Sequence, residues 1–131
     1  MPGRLLIVED EEAILRLLRE YFLARGFTVD CTAELGEAQR LLQVNTYSVV
    51  LSDVNLGNGC QGREGLQVVR AARRLPVSPG VILLTALQLS AHDLPGSAQP
   101  DLLLHKPLRL SAVAAHVERL AASSLPLSSC A

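Results

Sequence analysis

Apolar positions along this chain fall into short consecutive runs, separated by segments in which they recur every three or four residues. Residues 4–8 form the first run, and Leu5 to Val8 read as a buried strand. Ile14, Leu17, Leu18, Tyr21 and Phe22 then fall at i, i+3, i+4, i+7 and i+8, one face of a helix. Arg25 and Gly26 end it, with a cation in the last turn and glycine just beyond. Residues 28–31 are a second short strand, and Thr32 is placed to cap a second helix with Ala38, Leu41 and Leu42 inside. Residues 49–52 are a third strand, apolar on consecutive positions from Val49 to Leu51, as strands of a parallel sheet are. Residues 55–65 read as a loop holding Gly57, Gly59, Gly62 and Gly65, and residues 66–75 as a third helix stopped by Pro76. Residues 81–84 are a fourth strand. Residues 88–100 occupy the place of a helix but contain Pro95, Gly96 and Pro100, which predicts a turn or two at most. Residues 102–104 are a fifth strand, and residues 111–123 a last helix with Val113, Ala114, Val117, Leu120 and Ala121 on one face.

Strand and helix alternate five times along the chain. The physical solution for that pattern is an α/β fold, a doubly wound parallel sheet with helices on both faces. In such sheets ligands bind beyond the carboxyl ends of the strands. The residues just after each strand therefore matter most: Glu9 and Asp10, then Asp53, then Thr85 and Ala86, then His105, Lys106 and Pro107.

Composition narrows the function. A chain of 131 residues allows one domain, expected over residues 1–123, with 124–131 as a short tail or the start of a linker. Twelve basic against thirteen acidic residues give a net charge of −1, which argues against direct nucleic-acid binding by bulk electrostatics. No apolar run approaches the roughly 18 residues of a membrane span, and the first run meets four acids at once, unlike a signal peptide. Cys31, Cys60 and Cys130 are an odd, scattered set, read as free thiols and hence as cytoplasmic. Among the twelve bases Lys106 is the single lysine.

Three carboxylates converging on one edge repel unless a cation joins them. Their oxygens, with water, suit a hard divalent ion, and Mg2+ is the natural one. A carboxylate at Asp53 can also act as a nucleophile and form an acyl phosphate. Phosphoryl transfer needs neutralisation of the transferred oxygens, which a metal and the compact Lys106 ammonium can share, with a Thr85 hydroxyl bonding a third oxygen.

The segments "LLIVEDEEAI", "YSVVLSDVNL", "VILLTAL" and "LLLHKPL" stand in order, each at a strand. Together they resemble the receiver domain of bacterial two-component response regulators, from about Arg4 to Ala122. The resemblance implies a flavodoxin-like strand order 2-1-3-4-5. It implies that Asp53 accepts a phosphoryl group from a phosphohistidine on a sensor histidine kinase or phosphotransfer protein. It assigns Mg2+ to Glu9, Asp10, Asp53 and the backbone carbonyl of Asn55, and the phosphoryl group to Thr85, Ala86 and Lys106. Thr85 would then move and shift a protein-interaction face, so the chain is expected to be no enzyme beyond its own phosphorylation and dephosphorylation. A downstream protein target or a missing output domain is the expected recipient, and a weak homodimer is a further partner the resemblance allows.

Three departures stand out. The aromatic that the family places three residues before the lysine, as part of the switch with Thr85, is Leu103 here. The helix between the fourth and fifth strands is poor. The glycine-rich loop after Asp53 is about four residues longer than is usual. The two positions that tune dephosphorylation in the family are Asn55 and Leu87, and Leu87 cannot orient an attacking water, so a long-lived acyl phosphate is expected. His105 is read as an outward-facing strand residue, His92 and His116 as surface, and Cys60 as an exposed thiol without a redox role. A haloacid-dehalogenase-like phosphatase would want an aspartate at Asn55 and a hydroxyl or branched residue at Gly57. A Rossmann enzyme would need a glycine fingerprint that is absent. The remaining alternative is a phosphorylation-independent receiver-like interaction module.

Overall fold

The computed structural model describes residues 3–56 and 63–123. Five strands form one parallel sheet in the order β2-β1-β3-β4-β5: β1 (Arg4–Val8), β2 (Thr28–Thr32), β3 (Val49–Asp53), β4 (Gly80–Thr85) and β5 (Leu102–His105). Four α-helices connect and cover them: α1 (Glu12–Ala24), α2 (Leu35–Val44), α3 (Glu64–Arg73) and α4 (Leu110–Ser123). Residues 57–62 of the glycine-rich loop, with Gly57 and Cys60, and the tail 124–131, with Cys130, lie outside the described residues.

The continuous apolar runs follow from burial on both faces. Alternate residues of β1 go to opposite sides: Leu5 and Ile7 pack with Leu18 and Phe22 of α1 and Val113 and Val117 of α4. Leu6 and Val8 pack with Ala38 and Leu42 of α2 and Val68 of α3. On that second side, nearer β4, Val81 and Leu83 pack with Leu66, Val69 and Ala72 of α3 and with Leu94 and Ala98. At the far end of the sheet the Tyr47 hydroxyl donates to Asp30 Oδ2 at 2.7 Å, and Arg4 Nε donates to the same oxygen at 2.9 Å. Tyr47 is buried there.

Between β4 and β5 stand two single 3-10 turns, Ala91–Asp93 and Gly96–Ala98, as the prolines and glycine predict. Side chains hold this stretch together. Ser90 and Asp93 cap each other reciprocally, and Gln99 Nε2 donates to the carbonyls of Ala91 and Leu94 at 2.8 and 2.9 Å.

Two expectations need correction. Thr32 does not cap α2: it ends β2, its hydroxyl accepts from the Glu34 amide at 3.1 Å, and Glu34 is the N-cap, without a side-chain cap bond. The Thr32 side chain closes a local turn two residues ahead and never reaches the helix amides. Leu17 is not core: it is 53% exposed, because the sheet covers only the stripe centred on Leu18 and Phe22. Leu17 instead lines an apolar groove with Ile14, Pro107 and Leu108.

Candidate functional site

Parallel strands deliver the polar residues to one edge. Glu9 and Asp10 follow β1, β3 ends in Asp53, β4 in Thr85, and Lys106 follows β5. The pairing of Asp53 with Leu84 sets Thr85 one step beyond the carboxylate on the adjacent strand. The Glu9 amide still donates to the Thr32 carbonyl at 3.0 Å, so Glu9 is held as a strand residue and is wholly buried, while Asp10 next to it is exposed.

Lys106 is the centre of the arrangement. Its Nζ donates to Asp53 Oδ2 at 2.9 Å and lies 3.2 and 3.3 Å from the two Glu9 carboxylate oxygens. Its backbone amide donates to the Thr85 carbonyl at 2.7 Å, tying the lysine to the end of β4. The Lys106-Pro107 peptide is cis. The other Asp53 oxygen, Oδ1, accepts from the Asn55 amide at 3.2 Å. The carboxylate is thereby oriented, with one oxygen toward the ammonium and the other toward the loop.

Charge is crowded here. Burial and then the Asp53 carboxylate push Glu9 up to about 7, against the pull of Lys106. Burial acts to lower the Lys106 ammonium, but the hydrogen bond and charge of Asp53, followed by Glu9, outweigh it and raise it. One ammonium thus serves two buried carboxylates, with a third acid alongside. Glu9, Asp10 and Asp53 each offer an oxygen, and the three lie within 4.8 Å of one another. A hard cation with oxygen ligands at about 2.1 Å spans about 4.2 Å across its shell, so this donor set needs little adjustment to hold Mg2+.

Thr85 is buried, and its Oγ1 accepts from the Leu87 amide at 3.0 Å. Ala86 is exposed beside it, and Leu87 is 45% exposed. Leu103 is half-buried and packs, as Leu89 does, against the cluster that holds Leu83 and Leu94 on the α3 side of the sheet. His105 is exposed, yet its ring has a partner in the Leu89 carbonyl at 2.6 Å.

Three features escaped the sequence. Glu64 Oε1 accepts from the Leu56 amide at 3.2 Å, and the Gly65 amide donates to the Val54 carbonyl at 2.8 Å, so the start of α3 clamps the chain just after Asp53. Gly65 belongs to α3, not to the loop, and a Cβ there would collide with the backbone of Asp53 and Val54. Asn55 Oδ1 is buried without a hydrogen-bond partner among the described residues. The sequence pattern places Gly65 at the end of the loop, one residue before the expected helix, so its place inside α3 was not foreseen.

Comparison with known proteins agrees with the geometry. Residues 5–118 match the family model described as the response regulator receiver domain. The chain is 31% identical over 118 residues to the transcriptional regulatory protein TctD of Salmonella typhimurium, which covers 89% of this chain and 51% of that protein. It is 31% identical over 121 residues to the TorCAD operon transcriptional regulatory protein TorR of Escherichia coli, covering 92% and 50%. The chain thus spans about half the length of these curated relatives. Among solved structures, the Francisella response regulator 1452 receiver domain superposes with a TM-score of 0.79 at 20% identity, covering 94% of this chain and 99% of that one. The Thermotoga maritima response regulator TrrA, in complex with Mg2+ and BeF, superposes with a TM-score of 0.76 at 27% identity, covering 89% and 97%.

Proposed function

Since the chain belongs to the response regulator receiver family of two-component systems, we propose that it accepts a phosphoryl group on Asp53 in a Mg2+-dependent phosphorelay and thereby switches a protein-interaction face. The observation that carries this reading is the Lys106 ammonium 2.9 Å from Asp53 Oδ2 with two further acids around it. The donor is a phosphohistidine on a sensor histidine kinase or phosphotransfer protein. An Asp53 oxygen attacks phosphorus, the P–N bond breaks, and its electron pair returns to the imidazole nitrogen of the donor. Glu9, Asp10 and Asp53, directly or through water, and the Asn55 backbone carbonyl would hold Mg2+, which would supply positive charge to the transferred oxygens. Lys106 leaves its carboxylate partners and follows a phosphoryl oxygen. The Thr85 hydroxyl donates to another, and the Ala86 amide lies beside it. These residues act once per phosphorylation cycle on the chain's own aspartate, which makes the chain a receiver and not an enzyme with a separate substrate. Residues 1–123 are read as the receiver unit. The recipient of its signal is a separate protein or an output domain joined beyond it.

None of the described helices is long and apolar enough to cross a membrane. A cytoplasmic partner kinase face fits that, together with the half-buried thiol of Cys31. The test is labelling by acetyl phosphate with and without Mg2+. Label that needs the metal and disappears in Asp53→Ala supports the reading. Absence of label, with partner binding intact in Asp53→Ala, is the outcome expected of a phosphorylation-independent interaction module and overturns it.

A further inference from the structure

His105 stands beside the site and has no part in the proposed mechanism. Thr85 and His105 are register partners across β4 and β5. Registered residues of a parallel pair present their side chains to the same face. Leu83 and Leu103, the partners two positions earlier, do so and share one cluster with Leu89. From Thr85 a closed circuit of bonds runs through the following turn. Thr85 Oγ1 accepts from the Leu87 amide at 3.0 Å, and the Leu87 carbonyl accepts from the Leu89 amide at 2.9 Å. The Leu89 carbonyl meets His105 Nε2 at 2.6 Å, and the Lys106 amide returns to the Thr85 carbonyl at 2.7 Å.

A carbonyl only accepts, so the imidazole donates from Nε2. Leu103, one step back on the same face, has no polar atom and contributes only packing. The ring at 105 thus makes the one side-chain hydrogen bond between β5 and the 85–89 turn among the described residues.

We propose that His105 is a positioning residue: its hydrogen bond to the Leu89 carbonyl latches the 85–89 turn in the unphosphorylated arrangement and opposes the movement of Thr85 toward a phosphoryl group on Asp53. This rests on the phosphorelay reading above. For Thr85 to donate to a phosphoryl oxygen its side chain turns, the Leu87 amide loses its acceptor, and the turn shifts. With Leu89 pinned to β5, that shift works against the latch. A ligand that binds only the shifted state loses affinity by the factor the latch contributes. For one partly exposed hydrogen bond that factor is roughly three- to ten-fold.

The experiment compares wild type, His105→Phe and His105→Gln as the whole chain. Phenylalanine keeps a ring without a donor, and glutamine keeps a donor of similar reach. Two quantities are read: amide exchange across residues 86–90 without ligand, and apparent affinity for beryllofluoride in the presence of Mg2+. His105→Phe is expected to speed exchange across the turn and to tighten beryllofluoride binding by roughly three- to ten-fold. His105→Gln is expected to stay within about two-fold of wild type on both. Wild-type values for His105→Phe, weaker binding in it, or identical behaviour of the two variants overturns the latch. A wild-type chain that takes up neither beryllofluoride nor phosphate from acetyl phosphate overturns the phosphorelay reading, and the latch's link to it. That result is distinct from normal wild-type uptake with unresponsive variants.

Discussion

Replacing glycine by alanine at positions 36 and 65 is expected to change stability in opposite directions, although each is the second residue of its helix. Neither has a positive φ, so space decides. At Gly36 a Cβ would meet nothing within 4 Å, and alanine keeps its helix-propensity advantage of about 0.5–1 kcal/mol. At Gly65 the Cβ would fall against the Asp53 carbonyl oxygen, 2.8 Å from Val54 Cα and 2.9 Å from the Asp53 carbonyl carbon. These are backbone atoms at the end of a strand buried on both faces, with no flexible side chain to give way. Overpacking of this kind costs about 1–3 kcal/mol. Pushing α3 outward also strains the 2.8 Å bond from Gly65 to Val54, adding about 1 kcal/mol. The expected net loss for Gly65→Ala is about 2–3 kcal/mol, a fall in Tm of roughly 6–15 °C, against a rise of a few degrees for Gly36→Ala. Urea unfolding followed by far-UV circular dichroism reads both. Gly65→Ala should also slow labelling by acetyl phosphate, since Asp53 shifts with its backbone, while Gly36→Ala should not. A Gly65→Ala protein within about 0.5 kcal/mol of wild type would refute the reasoning, because α3 would then be free to move off β3 without cost.

Lys106→Arg keeps the charge facing Glu9 and Asp53, so stability should change by less than about 1 kcal/mol, whereas Lys106→Ala leaves two buried acids unpaired and should cost about 3 kcal/mol. The same Lys106→Arg chain should lose response to phosphorylation, because a planar fork cannot replace a compact ammonium; normal partner switching would count against this. Leu87→Glu or Leu87→Asn supplies a group able to orient water beside Thr85 and should speed acyl phosphate decay by at least about ten-fold, and an unchanged half-life would dismiss the role of that position. Burial and the bond to Asp30 push Tyr47 up to about 12. The folded state thus holds that proton more tightly than the unfolded chain does. The stability it contributes is whole below pH 10 and is lost as the pH rises through about 12. Tyr47→Phe should flatten that loss, and equal alkaline denaturation of the two chains would refute it.

The five strands and the edge they share were legible because residues 5–8 and 49–51 are apolar on consecutive positions, with Glu9 and Asp10 directly after the first run and Asp53 two residues after the second. The weak stretch between β4 and β5 was legible for a local reason, its prolines and glycine. What was hidden depends on distance in the fold. Nothing in "VED" tells that Glu9 is buried and Asp10 exposed; that follows from the Glu9 amide staying on the β2 ladder. Thr32 has the right chemistry for a cap and stands two residues too early. Leu17 fits the helical period, yet the sheet is too narrow to cover it. His105 pointed outward as expected, but a strand periodicity cannot show that a carbonyl from a distant turn would be waiting there.

The missing helix between β4 and β5 has a mechanical consequence. A helix behaves as a rod, since its ladder ties each turn to the next and a push at one end arrives at the other. Here the span is a row of separate rivets, Ser90 with Asp93, Gln99 with two carbonyls, and His105 with a third. A displacement entering at Thr85 meets these bonds one by one, with no helical ladder to couple them. The stiffness of this surface is therefore adjustable one side chain at a time, without rewriting a helix.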